Sequence, residues 1–224
     1  IGGHKGGAEK LAYELSEDLG GNVVFTSDSQ INKRLPLDSF GFSWGWSRSG
    51  RSEAWRNLMI RSSSGEDINI KQSSGLRLWQ ENEVKKKDIN LEEIKASPNS
   101  PLLTIGLNVS SSCGWHPHNL WVGIGCERNT SESLIERAIE QAFLKISLAK
   151  QSIAGISSID LKSNETGLLA VVEKNAWHIK FFSSETLSKI SIPNPSERVK
   201  REIGTPSVAE ASALLAAEPK GELL

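Results

Sequence analysis

The chain has 224 residues, with 26 Lys and Arg against 27 Asp and Glu, and its formal charge of −1 excludes the strongly basic surface of a nucleic-acid binder. Hydrophobic residues make up 38% and charged residues 24%, the profile of a globular chain of one or two domains rather than a disordered one. No apolar run approaches the roughly 18 residues of a spanning helix, and two cysteines, Cys113 and Cys126, exclude a disulfide framework and a four-thiolate zinc site, so a reducing cytoplasm is the expected compartment.

The opening Ile1-Gly2-Gly3-His4, without an initiator Met, reads as the middle of a strand-loop-helix unit whose strand lies upstream. The last residues, Pro219 to Leu224, stop as an apolar run begins, so a fragment is expected. Ala8, Leu11, Ala12, Leu15 and Leu19 share one helical face, which predicts a helix from Ala8 to Leu19 ended by Gly20-Gly21. Asn22 to Thr26 reads as a buried strand. A turn-rich stretch holding Gly41, Trp44, Gly45, Trp46 and Gly50 leads into a helix over Ser52 to Arg61, a strand over Asp67 to Lys71, and an extended piece ended by Trp79. Residues 81–101 carry mainly charged side chains, then Pro98 and Pro101, and read as a linker between residues 1–80 and 102–224.

Beyond the linker, Leu102 to Val109 and Leu120 to Gly125 are apolar runs of strand length. Ser131 to Leu148 reads as a helix, with Leu134, Ile135, Ala138, Ile139, Ala142, Phe143 and Ile146 on one face. Gly155 to Leu161 and His178 to Phe182 read as strands, Glu165 to Glu173 and Ser184 to Ile190 as helices. Thr205-Pro206 is a good helix start, and the alanines from Ala209 to Ala217 make that last helix slim. The alternation predicts an α/β fold: a C-terminal three-layer α/β/α domain on a mixed sheet, preceded by a truncated α/β segment.

Gly123-Ile124-Gly125-Cys126-Glu127-Arg128-Asn129-Thr130-Ser131 combines a strand end, a glycine turn, a polar cluster and a helix start. Ligands bind at such places in open α/β sheets, where helix-start N–H groups admit an anion. The spacing is neither a phosphate loop nor a dinucleotide fingerprint, and a plain strand-to-helix turn remains an equal reading. Cys126, near a helix start and Arg128, is in a setting that lowers a thiol pKa, although a small packing residue is the simpler role. His4, among glycines, is placed to face a ligand; a surface histidine is the alternative. Cys113, His116, His118 and Cys126 follow C-x2-H-x-H-x7-C, which matches no common zinc pattern and reads as a folded loop. The seven tryptophans read mostly as core or domain-contact residues.

Gly123-Ile124-Gly125-Cys126-Glu127-Arg128 with Thr130-Ser131 resembles the signature of the C-terminal domain of cobalt-precorrin-5A hydrolases of cobalamin biosynthesis. Further matches follow in order: Ile159-Asp160-x-Lys162 with Glu165 and Gly167-Leu168-Leu169, then Phe181-Phe182-Ser183 with Leu187, then Gly204-Thr205-Pro206-Ser207-Val208-Ala209-Glu210-Ala211 with Ala213-Leu214. Upstream, Gly2-Gly3-His4-Lys5-Gly6-Gly7-Ala8 is similar to the glycine-histidine motif of the family's N-terminal domain. Gly45-Trp46 through Trp55 to Gln72, Gly75 and Trp79 looks like the middle region of members fused to a precorrin-3B C(17)-methyltransferase. Two positions depart from the pattern: Glu9-Lys10 replaces an Asn, and Asn129 stands where a Gly is usual after the Arg.

The resemblance implies hydrolytic opening of the lactone of cobalt-precorrin-5A with release of acetaldehyde. It implies His4, Glu127 and Glu210 as catalytic candidates, and Gly125, Cys126, Arg128, Thr130, Ser131 and Lys162 as substrate-binding candidates. Lys162 with Glu165 reads equally as a structural ion pair. The cobalt is carried by the substrate, so the protein is expected to bind no cofactor or metal of its own; the implied partners are the cobalt-tetrapyrrole and a fused or docked precorrin methyltransferase, without nucleic acid or membrane. The alternative function is a non-catalytic tetrapyrrole-binding or methyltransferase-docking module, and a third is an unrelated α/β domain for a generic anion.

Overall fold

The computed structural model describes residues 15–20, 35–83, 101–110 and 112–224. Of the predicted N-terminal helix only residues 15–19 lie within this range, and they are helical; the strand over Asn22 to Thr26 and His4 lie outside it. The chain divides into two compact units, Ile1–Gly106 with Ser110–Pro117, and Leu107–Val109 with His118–Leu224.

The first unit is built on a sheet of four strands, β1 (Ser47–Ser49), β2 (Asn69–Gln72), β3 (Leu102–Ile105) and β4 (Cys113–His116), in the order β1-β4-β3-β2. β2, β3 and β4 run parallel, and β1 is antiparallel to β4. This moves the domain boundary expected at residue 102. Leu103 and Ile105, both fully buried, pair with β2 on one side and β4 on the other, so residues 102–106 belong with the first unit. Parallel pairing joins strands remote in sequence, which local composition does not reveal.

Helix α1 (Ser52–Ser63) buries Trp55 and Leu58, with Glu53 in its first turn and Arg61 in its last, the charge order its dipole favours. Trp79 belongs not to an extended piece but to a short helix, α2 (Leu78–Glu83), where burial of its ring is completed by an indole N–H donated to Gln72 Oε1 at 2.7 Å. Trp115 is the hub of this core: its ring meets Phe40, Phe42 and Trp55 edge-on and its N–H donates to Leu37 O at 2.9 Å. Trp46, Trp55, Trp79 and Trp115 are therefore core residues, as the composition led one to expect.

The second unit holds β5 (Leu120–Gly123), β6 (Ile153–Ile159) and β7 (His178–Phe182), all parallel in the order β5-β6-β7. The α/β class holds, but the mixed sheet lies in the first unit; the described strands of the second are parallel throughout. The central strand β6 is buried along nearly its whole length, as a strand covered on both faces must be. On one face α3 (Glu132–Lys145) and α4 (Thr166–Asn175) bury Ile135, Ile139, Phe143, Leu168 and Val171 against Ile153 and Ile156. On the other, Ile159 packs with Leu187 of α5 (Ser184–Ser188) and with Val208 and Ala211 at and in α7 (Ala209–Ala216). The buried serines of β6 are satisfied: Ser157 donates to the equally buried Ser212 Oγ at 3.2 Å and Ser158 to Ile124 O at 2.6 Å.

Three helices of the second unit differ from expectation. α7 begins at Ala209, not at Thr205-Pro206; Thr205 is buried and its hydroxyl donates to Ser207 O at 3.1 Å, while Ser207 Oγ accepts the Glu210 amide at 3.2 Å. An additional helix, α6 (Glu197–Ile203), precedes it, capped by Ser196 and ended by Gly204 in the left-handed region. In α3, Leu134, Ala138 and Ala142 are exposed, as is Ile146 at its C-cap; the buried stripe is the narrower Ile135, Ile139, Phe143.

Candidate functional site

In a parallel sheet the strands all end on one edge, and the helices that follow begin there. In the second unit β5 runs into the loop of residues 124–131 and β6 into residues 160–165. The two loops are clasped. The Glu165 carboxylate, 2% exposed, accepts the Asn129 backbone N–H through Oε1 at 2.5 Å. Its other oxygen lies 3.3 Å from Lys162 Nζ and 3.8 Å from Arg128 Nη1. Burial pushes the Glu165 pKa up, but the Asn129 amide, the Lys162 ammonium and the Arg128 guanidinium together outweigh it and hold the carboxyl below its ordinary value. It is an anion at neutral pH, locked between two loops.

Asn129 itself has φ +61°, in the left-handed region. Glycine enters that region freely, and asparagine is the substitute that tolerates it best. The departure from the family's usual Gly at this position therefore keeps the turn. Gly167 is fixed by proximity instead: a Cβ there would run into the Thr130 carbonyl, so the starts of α3 and α4 meet at van der Waals distance. Gly123 is fixed in the same way by the Ala209 carbonyl of α7. Gly125 is not, since a Cβ would find only ordinary contacts, 3.5 Å from Val208 Cβ; it is exposed.

The remaining candidates fall around this clasp. Arg128, its side chain 58% exposed, donates to Asn164 Oδ1 at 2.8 Å and keeps a face toward solvent. Cys126 is half-buried and Glu127 exposed. Thr130 donates to Glu127 O at 2.8 Å, and Ser131 caps α3 by accepting the Leu134 amide at 3.3 Å, so both serve the loop's shape. Lys162, 12% exposed, is committed to Glu165. Glu210 accepts from Asn194 through both oxygens, at 2.7 and 3.2 Å, and ties residue 194 to α7.

The C-x2-H-x-H-x7-C residues are divided: Cys113 and His116 lie on β4 of the first unit, His118 and Cys126 in the second. Burial holds the Cys113 thiol pKa above its usual value, and burial together with His178 holds His118 below its own. Among the described residues no group of three or more His, Cys, Asp and Glu is gathered for a metal, and no helix is long and apolar enough to cross a membrane.

A parallel α/β domain with a glycine loop and helix starts clasped at the strand ends has the architecture in which open α/β sheets place their ligand sites. Its family is shown by comparison. The model of the family described as cobalamin synthesis G C-terminus matches residues 120–224. Among curated relatives, the cobalt-precorrin-5A hydrolase of Priestia megaterium is 30% identical over 234 residues, covering 96% of this chain and 61% of that protein. The cobalt-precorrin-5A hydrolase of Salmonella typhimurium is 24% identical over 236 residues, covering 100% and 66%. Protein CobE of Sinorhizobium sp is 30% identical over 107 residues, covering 47% and 70%; a crystal structure of CobE aligns with 31% identity and a TM-score of 0.42, over 44% of this chain and 71% of that one. The chain belongs to the cobalamin-biosynthesis family described as cobalamin synthesis G C-terminus, and it spans under two thirds of the length of the two hydrolases it matches.

Proposed function

We propose that this chain acts in the hydrolytic opening of the lactone of cobalt-precorrin-5A, water adding to the lactone carbonyl and a two-carbon unit leaving as acetaldehyde. The observation that supports the reading is the clasped loop of residues 125–130, which lies within the stretch matched by the family model and carries Arg128 on its exposed side. The substrate is a polycarboxylate. Arg128, held in place by Asn164 but open to solvent, offers it a bidentate partner. The exposed backbone at Gly125 and Cys126 brings small residues close to a flat ligand, and Glu127 is the acidic group at hand for proton transfer, with His4 of the N-terminal motif as a second base. Cobalt arrives with the substrate as cargo. The proposed setting is the cytoplasm, with a precorrin methyltransferase as fused or docked partner.

A second reading, a module that holds the tetrapyrrole without turning it over, is favoured by Glu210: both of its carboxylate oxygens are already engaged by Asn194, which suits a structural part better than proton transfer. One titration separates the two. The full chain is mixed with cobalt-precorrin-5A, its visible absorption followed and acetaldehyde assayed in the same tube. A spectral change with acetaldehyde supports the hydrolase; a spectral change without acetaldehyde supports the module; neither removes both.

A further inference from the structure

The first unit holds an arrangement that the glycine-loop site does not use. His116, on β4 and 1% exposed, lies with Nε2 at 2.7 Å from Ser49 Oγ and Nδ1 at 2.8 Å from Gly106 O. A carbonyl oxygen only accepts, so the ring proton sits on Nδ1 and Nε2 presents its lone pair to the Ser49 hydroxyl. A serine O–H donated to a histidine whose other nitrogen is fixed by an acceptor is the local geometry of an activated nucleophile.

Three further features bear on this pair. Ser49 ends β1 opposite Gly114 of β4, and a Cβ at Gly114 would lie 2.9 Å from Ser49 Oγ and 3.2 Å from His116 Nε2; the missing side chain makes the space in which the imidazole reaches the hydroxyl. Ser49 also sits on a strand-to-helix turn: Gly50 follows at φ +105°, then Arg51, then α1, whose N-terminus no side chain caps. Ser49, half-buried, thus stands three residues ahead of the start of α1, at the strand-to-helix position that a nucleophile takes in other hydrolytic folds. The Ser49 backbone is held in turn, its carbonyl accepting the Trp55 indole N–H at 2.8 Å. Finally, a shallow cavity of about 200 Å³ opens next to the turn, lined by Arg51, Glu53, Ala54, Asn57 and Ser112. That is below the roughly 300 Å³ of a whole-ligand pocket; Ser49 and His116 lie outside its lining, and Arg51, beside Glu53, is the group in it that a carboxylate of a larger molecule would meet.

We propose that Ser49 and His116 are a nucleophile and general base for esters and lactones of carboxylated substrates. Ser49 Oγ adds to the acyl carbon while its proton passes to His116 Nε2. The C–O bond to the leaving alkoxide breaks, that oxygen takes the proton back from His116, and an acyl-serine remains. Water then adds to the acyl carbon, giving a proton to His116, and Ser49 leaves with it; the sum is one ester or lactone plus one water. The pair deepens the hydrolase reading by naming reacting groups, and rests on that reading only for the identity of the lactone.

The test is labelling of the full chain with a fluorophosphonate, mapped by peptide mass spectrometry, beside the acetaldehyde assay. The expected result is modification at Ser49 in preference to Ser47, Ser112 and the other serines. It should be lost in Ser49→Ala and slowed at least a hundredfold in His116→Asn, the scale of general-base catalysis. Should His116→Asn fail to fold, selectivity among the serines of the wild-type chain still decides. Labelling absent from Ser49, or no faster there than at other serines, overturns the pair. Acetaldehyde release that persists in Ser49→Ala without Ser49 labelling overturns it while the hydrolase reading stands; Ser49 labelling with no acetaldehyde from any variant upholds it while that reading falls.

Discussion

Asn129 gives its backbone N–H to a carboxylate of Glu165 that is shut away from solvent, across 36 positions of sequence. One ion thus sets the path of two loops, and half-buried Cys126 and the exposed Glu127 and Arg128 inherit their positions from it.

Removing that ion should loosen the loop and strand a lysine. Glu165→Ala leaves Lys162, 12% exposed, without its partner and the Asn129 amide without an acceptor. The thermal midpoint should fall by several degrees, and amide exchange at residues 125–130 should speed up. Unchanged protection of the Asn129 amide would contradict the clasp.

The same carboxyl fixes a pH dependence. Its folded pKa is below the unfolded value of about 4.3, so the folded state binds its proton less readily than the unfolded state. The stabilisation is full above that value and is lost as pH falls through the folded pKa. The gap in midpoint between wild type and Glu165→Gln should therefore be constant from neutrality to about pH 5 and close at lower pH. A gap that widens in acid has the wrong sign.

Asn129→Gly should fold at least as well as wild type, because the left-handed turn then costs nothing. Asn129→Ala should lose about 1–2 kcal/mol, the cost of that region for a residue with a plain Cβ. Denaturant melts of the two variants read the difference directly.

Three glycines should respond differently. Gly123→Ala and Gly167→Ala push a methyl into a backbone carbonyl, and each should cost about 1–3 kcal/mol or prevent folding. Gly125→Ala meets only ordinary contacts and should keep the wild-type midpoint, which makes it the variant for asking whether a ligand needs close backbone approach there. A large loss of stability in Gly125→Ala would refute the geometry.

Arg128→Ala should leave stability within about 1 kcal/mol, as expected for an exposed pair. Affinity for a cobalt-corrinoid carboxylate should nonetheless fall about tenfold to a hundredfold, the worth of a charge-assisted hydrogen bond. Absorption titration measures the second and thermal melting the first.

The second unit was largely legible because its elements are local. Ser131 and the 3.6-residue spacing of Ile135, Ile139 and Phe143 announce α3, and β7 stands where its apolar run stands. α6 escaped because Val199 and Ile203 are its main apolar residues, although Ser196 before it and Gly204 after it are helix signals. The start of α7 was misplaced because Thr205 turns its hydroxyl to Ser207 rather than to a helix amide. The first unit was less legible, since its sheet joins residues 69–72 to 102–105 and 47–49 to 113–116. The pairing of Ser49 with His116, 67 positions apart, is invisible to spacing for the same reason. At the glycine loop the sequence shows a strand end, a turn and a helix start, and leaves Lys162 with Glu165 open between a substrate contact and an ion pair; the hold of Glu165 on the Asn129 amide is a three-dimensional fact.

The contact between Gly123 and the Ala209 carbonyl has a bearing on how the protein is made. α7 forms one wall of the β5-β6 sheet, yet it is synthesised some fifty residues after β6. While the ribosome is still adding those residues, Ser157 lacks its partner Ser212 and Ile159 is covered on that face only by Leu187 of α5 and its neighbours. The second unit therefore closes only once residues 209–216 have left the ribosome, and a nascent chain stalled before Ala209 presents a partly covered sheet to whatever chaperone is nearby.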